Sequence, residues 1–337
     1  MDWFERLTGF RETDYDVTRE RLEVDGGRLR SRVNGKSYAI GALELVPLRT
    51  LRERVRSGGG PSGRIKVRVV TGDVRRLHQL PEYAGALFQV ASQFNLLEMV
   101  SPEVTPEHGV TRYQHDGTQG PACAMAAGAA TIYRNYFVPI GDGVGQTSER
   151  QLDGLADLGA ALGKALGESV DALWTMRNGY ALCTHAGLDA ITRHLASLKP
   201  EQTDTLRGML RIGVHRDVEV TDGDSADPSM VSQAFCSALP VSYSRVPRAQ
   251  WQSFASLVLE SAYEATLWAA VDNAQRGGTN IVLLTRLGGG AFGNDDNWID
   301  RAMRRAIQQA AELGIDVRLV SYGPPSRALL QLADEFS

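Results

Sequence analysis

Cysteines and metal-ligand spacings are scarce in this sequence. The 337 residues include three cysteines, Cys123, Cys183 and Cys236, which are odd in number and far apart in the chain. They form no Cys-x2-Cys pair, and the six histidines form no His-x3-His pair. These absences argue against a disulfide framework and a structural zinc site, and they predict a protein of the reducing cytoplasm.

Long apolar runs and a strong charge of one sign are also missing. The formal net charge is -4, which offers no long-range field for nucleic acid. No window approaches the ~20 apolar residues of a membrane-spanning helix. The first residues, MDWFERLTGFRETDYD, are charged where a signal peptide is apolar. We therefore expect a soluble protein without nucleic-acid or membrane partners, built as one large domain or two small ones.

Apolar strand patterns alternate with helical patterns from residue 64 onward. Examples are the strand-like runs RIKVRVV, GALFQVASQF and NIVLLT, and the helix-like run PACAMAAGAATIYRNYF. Such strands need cover on both faces, so the pattern predicts an α/β fold with a mixed or parallel sheet flanked by helices. We expect an N-terminal extension with short strands (1–60), a flexible joint (56–63), and a main domain (61–337) with an insertion at about 140–225.

A triple glycine interrupts residues 279–303, TNIVLLTRLGGGAFGNDDNWIDRAM, between a predicted strand and a predicted helix. Glycine costs roughly 0.5–1 kcal/mol relative to alanine in ordered backbone, so the loop needs a reason for three of them. Either the backbone adopts unusual dihedrals, or a ligand comes closer than side chains allow. Glycine loops at a helix start favour phosphate, because free N–H groups point outward there. A tight turn with a helix cap is the alternative.

Two further stretches complete a family pattern. Gly72-Asp73-Val74 follows one strand, and a second strand ends at Asn95. With the later GGGxFGN loop, residues 64–137 and 229–323 resemble the macrodomain family, which binds ADP-ribose. The resemblance implies a macrodomain-like sheet, with Asp73 and Val74 at the adenine and Asn95 at the distal ribose. It also implies that backbone N–H groups contact the phosphates and that Phe292 packs beside the distal ribose. The residues that would make the phosphate contacts are Gly289, Gly290, Ala291, Phe292, Gly293 and Asn294.

The chain departs from the family pattern after Asn95. A long detour, LLEMVSPEVTPEHGVTRYQHDGTQGPACAM, delays the second glycine turn to Gly117-Thr118-Gln119-Gly120. In this respect the chain is similar to a bacterial effector macrodomain that removes ADP-ribose from modified arginine on ubiquitin. The resemblance implies a diphosphate held between the helix start at Gly120 and the Gly289–Asn294 loop.

Candidate catalytic carboxylates lie in two places, because cleaving a ribosyl bond requires stabilising an oxocarbenium-like state. The detour offers Glu98, Glu107, His115 and Asp116, of which Asp116 is preferred because the glycine turn follows it directly. Capping of that turn is the alternative role for Asp116. Asp217 and Glu219 have i, i+2 spacing, which predicts two carboxylates on one strand face. They could contact the ribose, a guanidinium or Mg²⁺, or form part of a solvated acidic stretch.

The sequence thus predicts an ADP-ribosylhydrolase, with Asp116, Asp217 and Glu219 as catalytic candidates. Thr118, Gln119 and Gly120 join the predicted ligand-binding set. By resemblance, the linkage is ADP-ribosyl-arginine and the modified protein is ubiquitin. No cofactor is expected beyond the ADP-ribose ligand, although Mg²⁺ stays open. A non-catalytic ADP-ribose reader and a hydrolase of a free ADP-ribose derivative are the alternatives.

Overall fold

The structure is a computed structural model that describes residues 1–59, 62–223 and 228–336. The predicted joint at 56–63 therefore lies partly outside the described residues. Within these ranges, no helix is both long and apolar enough to cross a membrane.

Fourteen strands and thirteen α-helices are present in the described ranges. The strands are β1 (Leu22–Asp25), β2 (Arg28–Ser31), β3 (Ser37–Ala39), β4 (Ala42–Pro47), β5 (Lys66–Thr71), β6 (Leu87–Ala91), β7 (Pro139–Ile140), β8 (Gly143–Val144), β9 (Trp174–Arg177), β10 (Tyr180–Cys183), β11 (Arg211–Glu219), β12 (Met230–Cys236), β13 (Ile281–Leu284) and β14 (Asp316–Ser321). The helices are α1 (Trp3–Thr8), α2 (Tyr15–Glu20), α3 (Leu48–Gly58), α4 (Val74–Leu77), α5 (Gln119–Ala126), α6 (Gly128–Tyr136), α7 (Ala156–Leu166), α8 (Val170–Leu173), α9 (His185–Ser197), α10 (Pro200–Arg207), α11 (Arg248–Gln275), α12 (Asp296–Gln309) and α13 (Arg327–Glu335).

A seven-stranded mixed sheet forms the centre, in the order β4-β11-β12-β6-β13-β14-β5. β12, β6, β13, β14 and β5 run parallel, whereas β11 is antiparallel to both of its neighbours. The predicted mixed sheet flanked by helices is confirmed. The five parallel strands end together at one side, which we call the carboxyl edge. Parallel α/β sheets bind ligands at this side.

Helices cover both faces of the sheet. On one face α3, α11 and α12 pack into the largest apolar cluster, where the long helix α11 is buried on most sides. On the other face α4, α5 and α6 pack through side chains such as Cys123 and Ala130 onto Phe88 and Phe235 of the sheet.

The predicted single helix over 121–137 is two helices, and this prediction is corrected. Ala127 leaves the helical region at φ -115° and ψ 60°, which separates α5 from α6. The N-terminal segment packs directly over the junction: a Cβ on Gly128 would lie 2.6 Å from Leu7 Cδ1 and 2.8 Å from the Trp3 ring. The close approach of α1 therefore requires a glycine at the start of α6.

Residues 1–59 pack against the main body and contribute a strand to its sheet. β1 and β2, two of the short strands expected here, form a hairpin with Gly26 and Gly27 at φ +54° and +76°. β4 is the outer strand of the central sheet, and α3 packs against α11. Similarly β11, in the range predicted as an insertion, is a strand of that sheet.

Candidate functional site

A cleft of about 490 Å³ opens at the carboxyl edge between two glycine-containing loops. The turn at residues 116–120 forms one wall and the loop at 285–292 forms the other. The end of β6 and Glu98, which packs against Gly120, complete the lining. Its lining includes the predicted residues Asp116, Thr118, Gln119, Gly120, Gly290, Ala291 and Phe292. The structure thus brings the two predicted loops together.

The 116–120 wall is held to the sheet by side-chain and backbone contacts. Asp116 Oδ1 accepts from the Thr118 N–H at 2.9 Å, so this carboxylate caps the turn while it also lines the cleft. Gln119 Oε1 accepts from the Ala91 N–H, and its Nε2 donates to the Gln89 carbonyl, each within 2.9 Å. A Cβ on Gly120 would lie 2.0 Å from the Ala91 carbonyl oxygen. Gln119 and Gly120 therefore seat the start of α5 on β6.

The opposite wall owes its shape to two glycines with positive φ. Gly288 has φ +75° and Gly293 has φ +67°, a region that favours glycine. A Cβ on Gly293 would lie 1.8 Å from Ser242 Oγ, and one on Gly288 would lie 2.5 Å from Ala238 Cβ. Asn294 is buried and donates from Nδ2 to the Leu239 carbonyl at 2.9 Å. Gly293 and Asn294 therefore shape the loop from outside the cleft lining.

Gly117 and Gly290 have no such structural requirement. Each has an ordinary φ, and a Cβ added to either would meet no atom within 4 Å. They lie on opposite walls, and both line the cleft. Among the described residues, the exposed N–H groups of Gly290 and Ala291 donate to no protein acceptor. The missing side chains therefore leave bare backbone that faces the opening.

Glu98 is the most unusual ionisable group of the cleft. Its side chain is 1% exposed, and Oε2 has no hydrogen-bond partner among the described residues. Oε1 lies 3.4 Å from Nη2 of Arg134, whose side chain is fully buried on α6. Burial raises the pKa of Glu98 to about 7, although Arg134 and the Tyr113 hydroxyl act in the opposite direction. Near neutral pH this carboxyl can therefore both give and take a proton.

Arg134 is fixed independently of Glu98. Its Nε donates to the Leu96 carbonyl at 3.1 Å, and its guanidinium lies 3.8 Å from the centre of the Phe235 ring. Burial lowers the pKa of Arg134, while Glu98 acts to raise it. An arginine with a pKa normally above 12 stays charged under these conditions, so Glu98 has a permanent cation beside it.

Three aromatic rings also line the cleft. Phe292 lies with its ring centroid 5.3 Å from that of Tyr180 and 5.7 Å from that of Tyr243. The Tyr180 hydroxyl donates to the Met99 carbonyl at 2.6 Å, which ties β10 to the detour. Arg286 also lines the cleft, but its guanidinium is bonded to Asp296 and Asp300 of α12.

The remaining family-pattern residues lie elsewhere. Asp73 caps α4 by accepting from the Arg75 N–H, and Val74 is buried below it. β5 is three strand spacings from β6, about 14 Å, so neither residue lines the cleft. Asn95 is fully buried and bonded to Gln151, which keeps its amide away from the cleft. The adenine and ribose contacts implied for these residues stay predictions.

The predicted pairing of Asp217 and Glu219 with Asp116 is not found. β11 is antiparallel to β12, so these two residues lie at the end of the sheet opposite the carboxyl edge. They also do not share a face. Asp217 is exposed at φ +54° beside a register shift, whereas the nearly buried Glu219 accepts from the Ala39 N–H at 2.7 Å. An irregular strand does not keep the i, i+2 rule.

The sequence interpretation ranked Asp116 above Glu98 and did not select Arg134, Tyr180 or Tyr243. An acidic residue inside the apolar run LLEMV was the available signal for Glu98, because a carboxylate is rarely buried without a partner. Within the described residues, no three His, Cys, Asp or Glu side chains are grouped as a metal site requires.

Comparisons with known proteins give structural neighbours only. No family model matches the sequence, and no curated protein matches it. Poly(ADP-ribose) glycohydrolase from Deinococcus radiodurans, solved with ADP-ribose, is 14% identical, with a TM-score of 0.47 over 87% of this chain and 93% of that one. The enzyme from Thermomonospora curvata is also 14% identical, over 91% of this chain and 92% of that one. Its TM-score is 0.44, and 0.42 for its complex with the inhibitor ADP-HPD. The function proposed below therefore rests on the geometry of the cleft.

Proposed function

We propose that this protein is an ADP-ribosylhydrolase that cleaves the glycosidic bond at the distal ribose of ADP-ribosylated protein. The observation that carries the proposal is the cleft itself. Two glycines on opposite walls, Gly117 and Gly290, have no close contact that requires a glycine, and a buried carboxyl, Glu98, lines the same cleft. Bare backbone suits a phosphate, and the carboxyl suits proton transfer.

The diphosphate lies between the two walls in this proposal. The N–H groups of Gly290 and Ala291 are free to donate to phosphate oxygens, and the start of α5 adds the positive end of a helix dipole. A side chain at Gly117 or Gly290 would fill the approach. Phe292, with Tyr180 and Tyr243 behind it, offers an apolar surface for a sugar ring.

Glu98 acts as the general acid in this proposal, and Asp116 acts as the general base. The bond between the anomeric carbon and the leaving group breaks, and Glu98 in its protonated form donates its proton to the departing atom. The Asp116 carboxylate stabilises the oxocarbenium-like centre and accepts a proton from the attacking water, whose oxygen bonds to the anomeric carbon. No cofactor takes part in these steps.

For the leaving group we propose a modified arginine, with ubiquitin as the carrier that the effector resemblance implies and the cytoplasm as the site of action. The charge of the cleft supports the arginine. Asp116 is a negatively charged residue of the cleft lining. The positive charge of Arg286, another lining residue, is already paired with Asp296 and Asp300. The negative charge of Asp116 therefore favours a cationic substrate such as modified arginine in the cleft, where Glu98 protonates the departing nitrogen.

Calorimetric titration of ADP-ribose into wild type and Gly290→Glu tests the binding part. We expect micromolar binding that Gly290→Glu abolishes. Gly323→Glu is the matched control, because Gly323 also has an ordinary φ and open space but lies outside the cleft lining. If wild type and Gly290→Glu bind equally, the ligand lies elsewhere.

Release of ADP-ribose tests the catalytic part, with arginine-linked, glutamate-linked and free phosphorylated ADP-ribose substrates compared in parallel. We expect Glu98→Gln to lose at least 100-fold in kcat on the arginine-linked substrate and to keep its affinity for ADP-ribose. A wild type that binds ADP-ribose but releases none from any substrate is a reader. Turnover of only the free substrate would replace the arginine proposal.

A further inference from the structure

Glu12, in the N-terminal segment, holds the middle of the detour, just before the part that forms the cleft wall. Its Oε1 accepts from the Val110 N–H at 2.9 Å and its Oε2 from the Thr111 N–H at 2.6 Å. The Tyr136 hydroxyl, on α6, donates a third bond to Oε1 at 2.8 Å. The carboxylate thus joins two separate parts of the site's framework, the detour and α6.

The fit around this carboxylate is close. Gly109, the residue before Val110, has φ +77°, and a Cβ there would lie 2.4 Å from the Glu12 carboxyl. Trp3 donates from Nε1 to the Thr111 carbonyl at 3.2 Å, so a second residue of the N-terminal segment is hydrogen-bonded to the same part of the detour. The detour is therefore shaped to receive Glu12.

The segment that begins at Thr111 contacts both proposed catalytic carboxyl residues. Residues Thr111–His115 form a 3-10 turn whose central residue, Tyr113, is 1% exposed. The Tyr113 hydroxyl accepts from the Glu98 N–H at 3.0 Å, and it acts to lower the pKa of the Glu98 carboxyl. The Tyr113 carbonyl accepts from the Asp116 N–H at 3.1 Å. One residue is thus bonded to both Glu98 and Asp116.

We propose that Glu12 is a positioning residue of the active site: it fixes the Thr111–His115 turn so that Tyr113 holds Glu98 and Asp116 in place at the cleft. The proposal rests on the function proposed above, because it takes those two residues as the catalytic pair. It gives the N-terminal segment a role in assembling the site, although Glu12 itself does not line the cleft.

The change Glu12→Gln tests this role, because an amide places an N–H group against one of the two backbone N–H donors. We expect kcat to fall about 10- to 100-fold, since small displacements of catalytic groups have effects of this size. The affinity for ADP-ribose should change less than about 3-fold, because the 285–292 wall is untouched. Glu23→Gln is the matched control, since the Glu23 side chain, among the described residues, forms surface ion pairs with Arg30 and Arg32.

A second readout follows the ionisation of Glu98 without any turnover, through its carboxyl ¹³C resonance, assigned with Glu98→Gln. The groups that face Glu98 are Arg134 on α6, Tyr113 on the turn and the Cys123 thiol on α5. Because the Tyr113 hydroxyl favours the charged carboxylate, loosening the turn should raise the pKa of Glu98. We expect Glu12→Gln and Tyr113→Phe to shift it in the same direction, and the double variant to add little to Tyr113→Phe.

The outcomes separate the two proposals. If Glu12→Gln lowers thermal stability but leaves kcat and the Glu98 titration unchanged, Glu12 is only a structural residue and the inference is overturned. If the Glu98 titration shifts as expected but wild type neither binds nor releases ADP-ribose, the positioning of Glu98 stands and the proposed function fails. If Glu12→Gln changes both kcat and the Glu98 titration while the affinity for ADP-ribose is unchanged, both proposals are supported.

Discussion

Gly290 and Gly293 lie three residues apart in one loop, yet alanine at these positions should have opposite consequences. Gly293 has φ +67°, and a Cβ there would meet Ser242 Oγ at 1.8 Å. Gly290 has an ordinary φ and open space around the position of a Cβ. The structure therefore assigns Gly293 to the fold and Gly290 to the ligand.

The magnitudes follow from the backbone and from the contact. A left-handed conformation costs an alanine roughly 1–2 kcal/mol, and moving Ser242 disturbs its N–H bond to the Phe292 carbonyl at 3.0 Å, worth about 1 kcal/mol. Gly293→Ala should therefore lower the free energy of unfolding by about 2–3 kcal/mol. Gly290→Ala should leave it unchanged or raise it by about 0.4–1 kcal/mol, because alanine restricts the unfolded chain.

Denaturant unfolding and calorimetric titration of ADP-ribose on both variants provide the assay. We expect Gly290→Ala to weaken ADP-ribose binding about 10-fold at full stability, because its methyl group enters the phosphate approach. Gly117→Ala should behave in the same way on the opposite wall. A Gly290→Ala protein that is destabilised like Gly293→Ala, or that binds ADP-ribose as tightly as wild type, would refute the assignment.

Three further predictions concern charged residues. Glu98 has a folded-state pKa raised to about 7, so its protonation favours the folded state below that pH. Its contribution to stability should therefore decline between about pH 4.5 and 7, on the order of 3 kcal/mol in denaturant titrations, and Glu98→Gln should abolish that decline. The activity that needs protonated Glu98 should fall as pH rises through about 7. Arg134→Met should move this alkaline limb of the pH–rate profile at least about one pH unit higher. An unmoved limb would contradict the pairing of Arg134 with Glu98. Asp217→Asn and Glu219→Gln should change kcat less than about 3-fold in release assays, and a large loss in either would place catalysis at the other end of the sheet.

The sequence was informative where the signal is local. Turn chemistry accounts for the hairpin at Gly26-Gly27. Apolar periodicity accounts for the long helix α11 and for the strands in the parallel part of the sheet. The two glycine loops were paired in advance only by the resemblance, which implied a diphosphate between the helix start at Gly120 and the Gly289–Asn294 loop. The structure places parts of both loops in one cleft at the carboxyl edge.

Tertiary structure decided the matters that depend on direction and burial. Asp217 and Glu219 were misplaced because one sequence does not state that β11 runs against its neighbours, nor that it changes register after His215. The need for a glycine at the start of α6 comes from Trp3 and Leu7, more than 100 residues away. Glu98 became the leading carboxyl only once Arg134 and the buried turn were seen around it, because desolvation is a property of the packed surroundings rather than of the residue. Local patterns thus determined the strands, helices and loops, and long-range packing determined which of their side chains form the site.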